Sequence, residues 1–307
     1  MRLLDARVVV VTGKGGVGKT ATASAIALAA AQRGRRAAVV ELYGAGSVPA
    51  MMGLSNRSYA AQRVAEGVDA VSLTPWECLD EYGLRTLKVA ALARLFLSNR
   101  VVGAFLDAVP GLHDLVQLGK LLHMIDAPDQ DEVHYDLVVL DAPATGHGLS
   151  FLDTSATMME MTRMGPLYEL ASEIDTLLRD PDQTALALVS LPEELPARET
   201  LELVEALGPR RAQVAAVLLN QVEPPPTGED VPWGLARAAL VGAAPHLVAH
   251  GDQVMRRVID QSEWRSLLAR GLEGVPVIEL PRLHRGPLGP AAIAEFAARI
   301  AASLEVS

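Results

Sequence analysis

Short apolar runs recur along the chain at Val8–Val11, Ala37–Val40, Val68–Leu73, Leu137–Leu140, Thr184–Leu191, Val214–Leu219 and Val275–Leu280. Helical segments lie between them, beginning with the alanine-rich stretch from Thr20 to Arg33. Strands alternating with helices predict an α/β fold built on a mostly parallel sheet with helices on both faces. The interval from Trp76 to Asp126 breaks the alternation. It has no convincing strand, and Leu84, Leu87, Ala91, Leu92 and Leu95 recur at helical spacing. It is expected to be a helical excursion, interrupted near Pro110-Gly111 and standing off the core. Helix 290–304 gathers Ile293, Phe296, Ile300 and Leu304 on one face, as a helix packed onto the sheet would. The run Glu223-Pro224-Pro225-Pro226-Thr227-Gly228 reads as a rigid loop, because another α/β unit follows it. With no internal repeat, residues 1–307 are expected to form a single domain, with 76–126 as the excursion within it.

Between the first strand and the first helix lies Gly13-Lys14-Gly15-Gly16-Val17-Gly18-Lys19-Thr20. Strand, glycine loop and helix is the context that a phosphate-binding loop requires. The glycines let backbone N–H groups turn inward on a polyphosphate at a positive helix terminus. Lys19 is positioned to neutralise the β and γ phosphates, and the Thr20 hydroxyl to ligate Mg²⁺. Lys14 has two readings. It is a solvated loop charge, or it reaches the phosphate held by a facing subunit and stabilises charge there in trans. The second reading implies a dimer enclosing two nucleotides. Asp141 ends the run Leu137–Leu140, where P-loop enzymes hold a Mg²⁺-bound water or orient the Thr hydroxyl. Ala142-Pro143-Ala144-Thr145-Gly146-His147 follows it, a small-residue loop able to move with a γ phosphate.

The loop form with Lys14 resembles the deviant Walker A ATPases, the group that includes ParA, MinD, the nitrogenase iron protein and the arsenite-pump ATPase. Asp141 with Thr145-Gly146-His147 resembles the Asp-x-x-x-Thr-Gly-His switch II of the ArsA-like, tail-anchored-protein-targeting ATPases. Asn220-Gln221 and Pro281 are similar to that family's adenine-reading asparagine and pocket-lining proline. The resemblance runs from Val8 to the last helix. It implies a Mg²⁺-dependent ATPase, ATP as the nucleotide, and a homodimer or a heterodimer with a related ATPase that responds to a protein client or partner. The implied nucleotide contacts are Gly13, Lys14, Gly15, Gly16, Val17, Gly18, Lys19, Thr20, Asn220 and Pro281, with Thr20 and Asp141 (through water) at Mg²⁺.

The pattern fails at switch I. Where the family has Asp-Pro-Ala-His-Ser, this chain reads Glu41-Leu42-Tyr43-Gly44-Ala45-Gly46-Ser47. Glu41 is a slow base, a carboxylate that holds Mg²⁺ through water, or a strand-end charge. A displacement of about 1 Å costs ~10²-fold in rate, so slow hydrolysis is expected. The catalytic candidates are therefore Lys14, Lys19, Glu41 and Asp141. Cys78 is the single cysteine, so arsenite capture, a Cys-x-x-Cys zinc bridge and a [4Fe–4S] cluster are not expected.

Composition narrows the partners. The chain has 307 residues, half of them hydrophobic, and a formal net charge of −10. That acidity disfavours nucleic acid, anionic membranes and a ParA-like positioning role. A lone cysteine, no secretory segment and no run of membrane-spanning length point to the cytoplasm. Met158, Met159, Met161 and Met164 fill core gaps, support a dimer seam or line a client groove. His246 and His250, one helical turn apart, read as a solvated pair. Two functions remain: a nucleotide-gated dimeric switch, and a nucleotide-holding scaffold of a hetero-complex with little hydrolysis.

Overall fold

A computed structural model describes residues 3–87, 108–126, 133–142, 150–227, 231–283 and 288–305. The strands are β1 (Val8–Thr12), β2 (Ala37–Glu41), β3 (Gln62–Ala65), β4 (Val68–Ser72), β5 (Leu137–Asp141), β6 (Thr184–Ser190), β7 (Val214–Val222) and β8 (Val277–Pro281). They form one sheet in the order β3-β4-β2-β5-β1-β6-β7-β8. Every pair is parallel except β3–β4. Between the strands run α1 (Lys19–Gln32), α2 (Ser47–Met51), α3 (Pro75–Leu87), α4 (Leu112–Asp126), α5 (Thr154–Thr162), α6 (Pro166–Arg179), α7 (Glu194–Ala206), α8 (Trp233–Leu240), α9 (Pro245–Gly271) and α10 (Pro290–Glu305). This is the α/β architecture expected of a P-loop NTPase.

The central strands β1, β2, β5 and β6 are buried on both faces, which is why their interiors are written as apolar runs. Val8, Val10, Val138, Leu140, Leu186 and Leu188 face one core, packed by α4, α6 and α7. Val9, Val11, Val39, Leu137, Val139 and Ala187 face the other, packed by α1 and α10. α1 is buried almost all round, and only a helix of alanines fits so closely between a sheet and α10. Ile293, Phe296, Ile300 and Leu304 are the buried stripe of α10, as their spacing indicated.

Three features differ from the sequence expectation. β3 was not anticipated: Gln62-Arg63-Val64-Ala65 is polar and mostly half-buried, because an edge strand covers only one side. It pairs antiparallel with β4, where Arg63 Nε meets Asp69 Oδ1 at 2.5 Å. The last strand begins at Val277 rather than Val275. The interval from Trp76 to Asp126 is helical at both described ends, but α4 does not stand off the core. Leu112, Leu115, Leu118, Leu121 and Ile125 are fully buried against the sheet. Ala91, Leu92 and Leu95 lie outside the described residues.

Candidate functional site

The glycine loop leaves the carboxyl end of β1 between β5 and β6, the end where open α/β sheets place their crevices. Two glycines there are obligatory. Gly13 has φ +148°, and a Cβ on it would lie 2.3 Å from the Val189 carbonyl oxygen. Gly18 has φ +96°, and a Cβ would lie 2.2 Å from Asn220 Nδ2. α1 begins immediately after, at Lys19, so its free N–H groups point into the loop. Val17 is buried in the α1 core and anchors the loop from below.

Sheet register brings the acidic groups together. Asp141 lies beside Val11 on one side and Glu41 on the other. Thr20 Oγ1 donates to Asp141 Oδ2 at 2.6 Å. Burial pushes the Asp141 carboxyl up to about 6, with the Glu41 charge adding; the Thr20 hydroxyl and Lys19 oppose the shift. Lys19 is nearly buried, and its Nζ donates to the carbonyls of Gly13 (3.2 Å) and Lys14 (3.1 Å). Burial lowers its pKa, partly countered by Asp141. These groups border a cavity of about 550 Å³, together with Gly16, Gly18, Tyr43 and Leu288. That volume suits a nucleotide-sized ligand.

Glu41 is tied down at both oxygens. Its Oε1 accepts the backbone N–H groups of Ser47 (2.7 Å) and Val48 (2.9 Å), and its Oε2 accepts the Ser72 hydroxyl (2.9 Å). Ser47 and Val48 open α2, whose N-cap is Gly46, which has no side chain to satisfy them. Glu41 therefore caps that helix from a neighbouring strand. Of its three readings, this arrangement favours the strand-end structural one.

Asn220 lies directly behind the loop. Its Nδ2 donates to the Val17 carbonyl at 2.8 Å and its Oδ1 accepts the Gln221 N–H at 2.9 Å. Pro281 is elsewhere, in a cavity of about 230 Å³ beside Val222, Pro224, Pro225 and Arg299. The structure thus groups Asn220 with the phosphate loop and sets Pro281 apart from it. Lys14 reaches across to α7, where its Nζ meets Glu199 Oε1 at 2.6 Å; both side chains are more than a third exposed. Thr145, Gly146 and His147 lie outside the described residues.

The other candidates separate cleanly. Met158 is core, whereas Met161 and Met164 are exposed. His246 and His250 are both exposed on α9. Among the described residues, no group of three or more His, Cys, Asp or Glu side chains is placed to hold a metal. Thr20 and Asp141 remain the pair suited to Mg²⁺, which takes few protein ligands and keeps several waters. Glu199 and Leu288 gave no signal in sequence, and Tyr43 showed only as part of the departed switch I segment. Glu199 and Leu288 enter the site from distant segments, with no motif around them.

The anion-transporting ATPase family model matches residues 6–167 and 158–237, and the chain belongs to that family. It is 30% identical over 244 residues to the ATPase BagA of Mycobacterium tuberculosis, covering 78% of this chain and 71% of that protein. It is 22% identical over 249 residues to the ATPase ASNA1 homolog 1 of Paramecium tetraurelia, covering 69% and 74%. An ATPase ASNA1 homolog of Entamoeba dispar is 24% identical over 257 residues, covering 70% and 76%. A family of ATPases accords with a glycine loop backed by a Thr–Asp pair.

Proposed function

We propose that this protein is a Mg²⁺-dependent, slowly hydrolysing ATPase that works as a dimeric switch and passes its nucleotide state to a protein partner. The carrying observation is the short Thr20–Asp141 hydrogen bond beneath a loop whose Gly13 and Gly18 admit no side chain. The loop N–H groups and Lys19 hold the phosphates, and Thr20, with Asp141 through water, holds Mg²⁺. Bound Mg²⁺ supplies charge neutralisation on the β and γ oxygens. Asp141 keeps the Thr20 hydroxyl oriented, while Gly13, Gly15, Gly16, Val17 and Gly18 set the backbone cradle. Asn220 braces that cradle, and Pro281 flanks the base.

Lys14 serves across a dimer, homotypic or with a related ATPase, once it leaves Glu199. Arsenite and zinc chemistry are excluded from the proposal because the chain has one cysteine, Cys78, and it is buried. Among the described residues no helix is long and apolar enough to cross a membrane. We place the protein in the cytoplasm, with no nucleic-acid partner. Fluorescent-ATP titration and phosphate release test this reading. Lys19→Ala and Thr20→Ala are expected to lose both signals while keeping the fold, and unchanged binding in either would contradict it.

One observation favours the scaffold reading. Glu41 Oε1 accepts the first two N–H groups of α2 and Oε2 accepts the Ser72 hydroxyl of β4, so both oxygens already have protein partners. If phosphate release is indistinguishable from the uncatalysed rate while ATP binds tightly, the scaffold reading replaces the switch.

A further inference from the structure

Tyr43 belongs to two structures at once. Its side chain borders the cavity under the glycine loop. Its backbone N–H donates to Gln117 Oε1 at 2.9 Å, and its hydroxyl donates to Asp114 Oδ1. Both acceptors are on α4, close to one turn apart, so they share a face. Gln117 is completely buried, and its Nε2 donates to the His113 carbonyl at 3.0 Å. That bond orients the amide so that its oxygen faces Tyr43.

The backbone at Tyr43 is unusual. It lies at φ 59°, ψ 20°, the left-handed region that a bulky residue adopts only when its surroundings impose it. Gly44 and Gly46 follow, also with positive φ. The roots of this loop are fixed: Leu42 is buried in the α4 core, and Glu41 holds Ser47 and Val48. A short strained strap thus runs along the cavity with its middle fastened to one helix. If the strap moves away from α4, the Gln117 oxygen is left unpaired in the core, which is unfavourable. Otherwise α4 moves with it, and α4 packs against α3, α5 and α6.

We propose that Tyr43, held by Gln117 and Asp114, is the joint through which occupation of the phosphate cavity is transmitted to α4 and the helices packed on it. This rests on the nucleotide-switch reading above. The joint is a tie between two elements that both sides bias, so coupling through it is reciprocal. A partner that displaces α4 alters nucleotide affinity through the same two hydrogen bonds.

Hydrogen exchange with mass spectrometry on the full chain, with and without a Mg²⁺-loaded non-hydrolysable ATP analogue, tests the joint. In the native protein the analogue is expected to slow exchange in 42–48 and in 112–126 together. Gln117→Leu keeps volume but removes the acceptor. The 42–48 response is then retained and the 112–126 response falls at least threefold. Tyr43→Phe removes only the Asp114 bond, so it is expected to fold normally and to halve the 112–126 response. That keeps the test informative if Gln117→Leu is unstable. An unaltered 112–126 response in the variants, or none in the native protein despite analogue binding, overturns the joint alone. Failure of the native protein to bind fluorescent ATP overturns the switch reading and the joint with it.

Discussion

Replacing Asp141 with Asn is expected to make the ligand-free protein more stable and its Mg²⁺-nucleotide complex weaker. Asp141 lies at the end of a central strand beside Glu41, and burial raises its carboxyl from the ordinary 3.8 to about 6. A carboxyl whose folded pKa is raised favours the fold only while protonated. Its contribution is fully present below the unfolded value near 4 and is lost as pH rises through about 6. At about 1.4 kcal/mol per pKa unit, the ionised group costs the fold up to ~3 kcal/mol at neutral pH. The opposing attraction to Lys19 is already contained in that raised value, and screening through the open cavity reduces the cost to ~1–2 kcal/mol. Asn can still accept the Thr20 hydroxyl, so the substitution removes charge while leaving that contact. Urea titrations at pH 4, 5, 6 and 7 check it. The variant's advantage is expected to grow with pH and to vanish near pH 4, while Mg²⁺-dependent ATP affinity drops at least tenfold at pH 7. A variant less stable than the native protein at pH 7, or an advantage that does not change with pH, would refute the reasoning.

Four further substitutions probe the contacts around the site. Glu199→Gln releases Lys14 from an exposed pair worth ~0.2–1 kcal/mol per chain, so an ATP-driven dimer is expected to tighten by about 2–30-fold in sedimentation analysis; a weaker dimer counts against the trans role. Glu41→Gln keeps acceptors for Ser47 and Val48 and is expected to leave phosphate release within about twofold. Glu41→Ala instead leaves two helix-start N–H groups and Ser72 without their partner, at a cost of ~1–3 kcal/mol in thermal unfolding. Gly18→Ala drives a methyl into Asn220 and is expected to abolish ATP binding while far-ultraviolet circular dichroism is unchanged; retained binding would show that the loop tolerates displacement there.

Much of the sheet was legible because parallel strands buried on both faces are written as pure apolar runs, and Val8–Thr12 or Leu137–Asp141 could scarcely be anything else. β3 was not, because an edge strand can be polar and paired through Arg63 and Asp69. The position of α4 was misjudged for a different reason. Helical spacing shows that a helix has an apolar face but not what that face meets, and Leu112 to Ile125 meet the sheet. In the site, Gly13 to Thr20 and Asp141 were legible because their chemistry is local: a turn, a helix start and a strand end. Glu41 was visible as a residue but not as a cap, since its partners Ser47, Val48 and Ser72 carry no pattern. Glu199 is separated from Lys14 by 185 positions, and nothing in α7 marks it. Tyr43 attracted attention only as a departure from a family motif, and its two acceptors became apparent once α4 was seen to lie against the loop.

The most direct test of the switch is the oligomeric state measured by analytical ultracentrifugation across nucleotide states, in native protein and Lys14→Ala. The expected result is monomer without nucleotide, dimer with Mg²⁺-ATP analogue, and no dimer in Lys14→Ala even when its bound analogue is at saturation. A native protein that stays monomeric while saturated, or a Lys14→Ala variant that dimerises as readily, would contradict it.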